Sequence, residues 1–98
     1  MFMIRLCSDR AAYEAVPRKR LRVDIASLKV LLERKGDCDV ALWTPQLMVI
    51  TRRDASEVTI VDDGRMIIRN VADQDTARRI AETLLPDEVM KKSLPRVL

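Results

Sequence analysis

The stretch from Glu57 to Leu85 constrains the fold more than any other part of this chain, because it reads as a hairpin that feeds a helix. The apolar, β-branched runs Val58 to Val61 and Met66 to Ile68 flank Asp62-Asp63-Gly64-Arg65, and Gly64 can take the positive φ that a tight hairpin turn demands. After Asn70 the period changes. Ala77, Ile80, Ala81 and Leu84 fall at i, i+3, i+4 and i+7, a single helical stripe, with Asp73 or Asp75 placed to cap it.

The preceding residues supply the rest of a sheet. Asp24, with Ser27 as the alternative, caps a helix over 24–35 that carries Ile25, Leu28, Leu31 and Leu32 on one face. Lys29, Glu33, Arg34 and Lys35 face water in this reading, and Gly36 stands where a left-handed stop belongs. Residues 40–43 and 47–52 are apolar runs separated by Thr44-Pro45-Gln46, hence adjacent antiparallel strands, and 53–56 leads into the hairpin strands 58–61 and 65–69. Met1 to Cys7 alternates as a strand with one wet face, and Arg20 to Val23 is a short strand candidate. Ala11, Ala12, Tyr13, Ala15 and Val16 suit a short helix behind Ser8 or Asp9, stopped by Pro17, or an irregular segment.

The expected fold class is therefore α+β, an antiparallel sheet of four to five strands with two helices on one face, in the order β-α-β-β-β-β-α. With 98 residues one domain is expected, divided into an N-terminal strand and basic linker (1–23), a β/α core (24–85) and a tail (86–98). Beyond Pro86 the tail holds Val89, Met90, Leu94, Val97 and Leu98, too apolar for a simple disordered end, so it is expected to dock on its own domain or a neighbour.

The residues from Ile60 to Ile68, followed by Asp73, Asp75 and Ala77-Arg78, resemble the end of one half-repeat of the TATA-box-binding protein, with strand, Gly-basic turn, strand and capped helix in that order. Residues 24–85 also resemble the small domain that follows the adenylating domain in some enzymes activating ubiquitin-like sulfur carriers. That pattern runs from the Leu-rich helix ending near Gly36, through Pro45-Gln46-Leu47, to the Asp63-Gly64-Arg65 hairpin. The resemblance implies a TATA-box-binding-protein-like fold and no activity. The adenylating chemistry belongs to a separate domain, and the DNA-binding family needs two half-repeats with paired phenylalanine wedges. This chain has one half-repeat and a single phenylalanine, Phe2, outside the matching region.

Composition removes most catalytic classes. With no histidine there is no His-based triad or His-assisted thiol, and two glycines cannot build a phosphate-cradling loop. Cys7 and Cys38 lie too far apart for a metal knuckle, so no metal and no cofactor are expected, and the cysteines are buried thiols or one disulfide. Thirteen Arg against five Lys, with only two Gln and one Asn, leans toward a thermophile, in which intracellular disulfides occur. Asp62-Asp63 is turn chemistry, and in Asp37-Cys38-Asp39 the flanking charge suppresses a thiolate. Trp43 and Tyr13 read as core or interface rather than a base-stacking platform. The enzyme question leans to no.

The net charge of +3 is uneven: residues 1–35 hold nine cations against four acids, residues 36–98 nine against eleven. The densest part is Arg18, Lys19, Arg20 and Arg22, a solvated loop or a phosphate-contacting patch, which Arg52, Arg53, Arg65 and Arg69 on strands can extend. No apolar run reaches the ~20 residues that span a bilayer, and a cytoplasmic location without a membrane partner is expected. The strands carry the other signal. Leu47-Met48-Val49-Ile50 and Met66-Ile67-Ile68 are apolar at every position, where a half-solvated antiparallel sheet alternates, so both faces need cover. The leading expectation is a non-catalytic interaction or self-association module, a homodimer buried through Leu47 to Ile50 or Met66 to Ile68. The alternative is a nucleic-acid-binding protein using the basic segment, and a small-molecule binder with an unrecognised site comes third.

Overall fold

The computed structural model describes residues 2–6 and 12–92, with side chains to residue 90. Its elements are β1 (Phe2–Leu6), β2 (Ala12–Pro17), β3 (Leu21–Val23), α1 (Ile25–Lys35), β4 (Cys38–Trp43), β5 (Leu47–Arg52), β6 (Glu57–Val61), β7 (Met66–Arg69), α2 (Gln74–Leu84), a 3-10 turn (Asp87–Val89) and β8 (Met90–Lys92). Six strands form one antiparallel sheet in the order β1-β2-β7-β6-β5-β4, and β3 pairs with β8 in a separate two-stranded ribbon.

The sheet register sorts the apolar residues between two faces. Ile4, Ala15, Met66, Ile60, Met48 and Trp43 form one unbroken cross-strand row over all six strands. Leu6, Tyr13, Ile68, Val58, Ile50 and Val40 form the next row on the same side. Directly opposite residues share a face. Met48, Ile50, Val58, Ile60, Met66 and Ile68 are fully buried, and they join Ile25, Leu28 and Leu32 of α1 and Ala77, Ile80 and Ala81 of α2 in one core. Both helices thus cover the same side. A bulge at Ala41 shifts the β4 register so that Val40 and Trp43 both stay on the core side.

Local chemistry sets the element ends. The Asp24 carboxylate accepts from Ser27 N at 3.2 Å, and Gly36 at φ 69° donates its N–H to Leu32 O to close α1. Asp73, not Asp75, caps α2 by accepting from Thr76 N at 2.8 Å. Arg78 Nη1 and Gln74 Nε2 donate to the carbonyls of Phe2 and Ile4, tying α2 to the edge strand β1. In the β6–β7 turn, Gly64 N donates to Val61 O and Val61 N to Arg65 O, with Gly64 at φ 92°: a type I turn with a glycine bulge. The β5–β6 turn repeats that pattern through Ala55 N to Arg52 O and Arg52 N to Ser56 O, but places Ala55 at φ 70° where glycine is favoured.

Three expectations change. The segment proposed as a short helix or irregular stretch is β2, a central strand; hydrogen bonding to β1 on one side and β7 on the other outweighs the local preference of its alanines. The sheet therefore has six strands rather than four or five. Leu21–Val23 lies outside it, because β8 folds back along β3, so the first part of the tail docks on its own chain with Val89 fully buried. The rest of the tail, with Leu94, Val97 and Leu98, lies outside the described residues. Among the described residues no helix is long and apolar enough to cross a membrane.

Candidate interaction surfaces

The side of the sheet away from the helices carries the other half of each strand. Its central row runs Arg5, Glu14, Ile67, Thr59, Val49, Leu42 across all six strands. One side is flanked by the pairs Met3 with Val16 and Val61 with Leu47, the other by Arg69, Glu57, Thr51 and Asp39. Val16, Leu47, Val49, Val61 and Ile67 are half-buried, while Met3 (45 %) and Leu42 (55 %) are well exposed. Arg5 closes the row at one edge by an ion pair to Glu14 at 2.9 Å. No other described element lies over this face in the way α1 and α2 cover the first, since the core they build takes in none of its residues.

The expected interface residues consequently divide. Leu47, Val49 and Ile67 lie on the open face, whereas Met48, Ile50, Met66 and Ile68 have no exposed surface and pack beneath the helices. Uninterrupted apolar sequence arises because the core side is fully dry and the open side is apolar as well. Met3, Val16, Leu42 and Val61 belong to the same surface and were missed. The alternation of β1 already pointed to Met3, but Val16 became visible only once 12–17 was a strand.

The basic residues divide too. Arg18, Lys19, Arg20 and Arg22 lie with Arg65 around a shallow recess of about 610 Å³ between the β2–β3 connection and the β6–β7 turn. Arg22 reaches Asp62 at 3.6 Å and Arg65 holds Asp63 at 2.9 Å, so both turn aspartates are engaged structurally. Among the described residues Arg18, Lys19 and Arg20 are exposed and make no ion pair. Arg52, Arg53 and Arg69 stand at the opposite strand ends, roughly 15 Å away by strand rise. There Arg52 binds Asp54 at 3.2 Å, and Arg53 donates to Gly36 O at 2.7 Å as part of the α1 stop.

Trp43 sits at the sheet edge, 40 % exposed, with Lys29 Nζ 5.4 Å from its ring centroid, so Lys29 lies along the protein surface instead of extending into water. Cys38 opens β4 beside a hollow of about 240 Å³ between the ends of α1 and α2, lined by Leu32, Ile80 and Leu84. Burial pushes its thiol up first, the carboxylates of Asp37 and Asp39 add to this, and Arg52 and Lys35 oppose it. The thiol stays protonated and is a poor nucleophile. A Cys7–Cys38 bridge lies outside the described residues, because Cys7 does. Among the described residues no three carboxylate or thiol side chains converge as a metal site. Compared with known proteins, the chain matches no family model, no curated protein and no solved structure.

Proposed function

We propose that this protein is a self-association module whose open sheet face is covered by a second copy of the same chain. The observation that carries the reading is the apolar surface of Val16, Leu47, Val49, Val61 and Ile67, bounded by exposed Met3 and Leu42, on a sheet whose other face is already filled. Contiguous apolar area of this kind marks an interaction site in a folded domain.

Charge and size favour a second copy as the occupant. Along the row Arg69, Glu57, Thr51, Asp39 the sign changes from basic to acidic from β7 to β4. A two-fold axis parallel to the strands sets the basic half of one copy against the acidic half of the other and stacks the Ile67–Thr59 centre on itself. Six strands about 4.8 Å apart and five residues long at ~3.3 Å each present roughly 480 Å² per chain, so a face-to-face pair covers about 1,000 Å², at the lower limit for a specific interface. The order α1, β4 to β7, α2 also supports a TATA-box-binding-protein-like half-repeat, here extended by β1 and β2. Substituting Ile67→Glu, on the open face and outside the core, is expected to dissociate the pair while leaving the far-ultraviolet circular dichroism unchanged. An assembly that survives this substitution overturns the reading.

A further inference from the structure

We propose that the recess between the β2–β3 connection and the β6–β7 turn is a sequence-independent binding site for the phosphate backbone of duplex nucleic acid. Arg18, Lys19, Arg20, Arg22 and Arg65 surround it, and Asp62 and Asp63 are the acids beside it. Five cations against two acids leave +3, the whole net charge of the chain, so the remaining residues sum to zero. The charge is therefore concentrated in one concave corner. Lys91 stands opposite Arg22 in the β3–β8 register.

The frame under these residues is fixed. Leu21 is buried against Gly64, Val23 N donates to Asp62 O at 2.8 Å, and Asp24 N donates to Val89 O at 2.9 Å. Arg18, Lys19 and Arg20 are thus held on a short connection between two anchored strands, with their charges unspent within the described chain. Four of the five cations are arginines, whose planar forks match phosphate oxygens in pairs. Exposed large apolar side chains are Met3, Leu6, Val30, Leu42 and Trp43 among the described residues, and none lines the recess. A lipid surface or a protein partner needs such anchors, and single-strand stacking needs aromatics, whereas duplex backbone needs only charge and shape. The recess borders the open face at Val16, but the cations that carry the site stand on the β2–β3 connection, on β3 and at the β6–β7 turn, so the site does not rest on self-association.

The test is fluorescence anisotropy of the full chain with a labelled 20-base-pair duplex of arbitrary sequence, between about 20 and 200 mM salt. With three to four phosphates neutralised, log affinity is expected to fall against log salt with a slope of about −3 to −4. The triple variant Arg18→Ala/Lys19→Ala/Arg20→Ala is expected to weaken binding about tenfold or more at low salt and to flatten the slope by about 2 to 3. A control of equal charge change, Arg34→Ala/Lys35→Ala/Arg79→Ala, is expected to leave the slope in place. No binding at 20 mM salt, an equal effect of the two triple variants, or binding to phosphatidylserine vesicles in preference to the duplex each overturns the proposal.

Discussion

Gly64 joins turn geometry to core packing, and Gly64→Ala measures both. The residue sits at φ 92°, and a methyl group there would stand 2.5 Å from Leu21 Cδ1, 3.1 Å from Leu21 Cγ and 3.1 Å from Pro17 Cγ. The left-handed backbone costs an L-residue about 1–2 kcal/mol. Forcing a methyl into a packed site adds about 1–3 kcal/mol, because Leu21 is itself buried in the core. A loss of roughly 2–5 kcal/mol in urea unfolding follows. Gly36→Ala is the internal comparison: φ is 69°, and nothing lies within 4 Å of the added carbon, so only the backbone cost of about 1–2 kcal/mol applies. In the Gly64→Ala background, Leu21→Ala should cost less than it does alone, since it removes the clashing atoms. Equal destabilisation by the two glycine substitutions, with no coupling to Leu21, would refute the account of how the basic segment is seated.

Two further expectations concern the turns and acid stability. Ala55 occupies a glycine-favoured position at φ 70° and is exposed, so Ala55→Gly should raise stability by about 0.5–1 kcal/mol in the same unfolding assay, after allowing for the entropy glycine adds to the unfolded chain. Asp54 accepts from Ser56 N and Ser56 Oγ, and Asp73 from Thr76 N and Thr76 Oγ1, and these hydrogen bonds hold both carboxyls below their usual 3.8. A depressed folded value means stabilisation that is complete above the unfolded value and is lost as pH falls through the folded one. Thermal midpoints should therefore drop below about pH 4, and Asp54→Asn with Asp73→Asn should flatten that part of the profile.

What could be read from the sequence was what local chemistry determines. Asp24 and Gly36 bracket α1, Asp73 opens α2, and Asp62 to Arg65 makes the β6–β7 turn, each signal acting within a few residues. β2 was hidden because Ala12, Tyr13, Ala15 and Val16 carry no strand-forming signal strong enough to compete with helix, and the hydrogen bonds that decide the matter come from Arg69 to Met66, more than fifty residues away. For the same reason Val16 was absent from the expected interface. The apolar runs of β5 and β7 signalled apolar residues on both faces, but only register assigns Met48 and Ile68 to the face under the helices and Val49 and Ile67 to the open one. The basic run was legible as charge; its union with Arg65 and the β8 strand depends on two turns that bring sequence-distant residues to one corner.

Sedimentation equilibrium of the wild-type chain at tens of micromolar tests the central claim most directly. A second copy over the open face predicts twice the mass of the chain, falling to the single-chain mass in Ile67→Glu. A wild-type monomer that dimerises only when the chain is truncated after Lys92 would contradict it, because the residues beyond β8 would then be the cover that the second copy was proposed to supply.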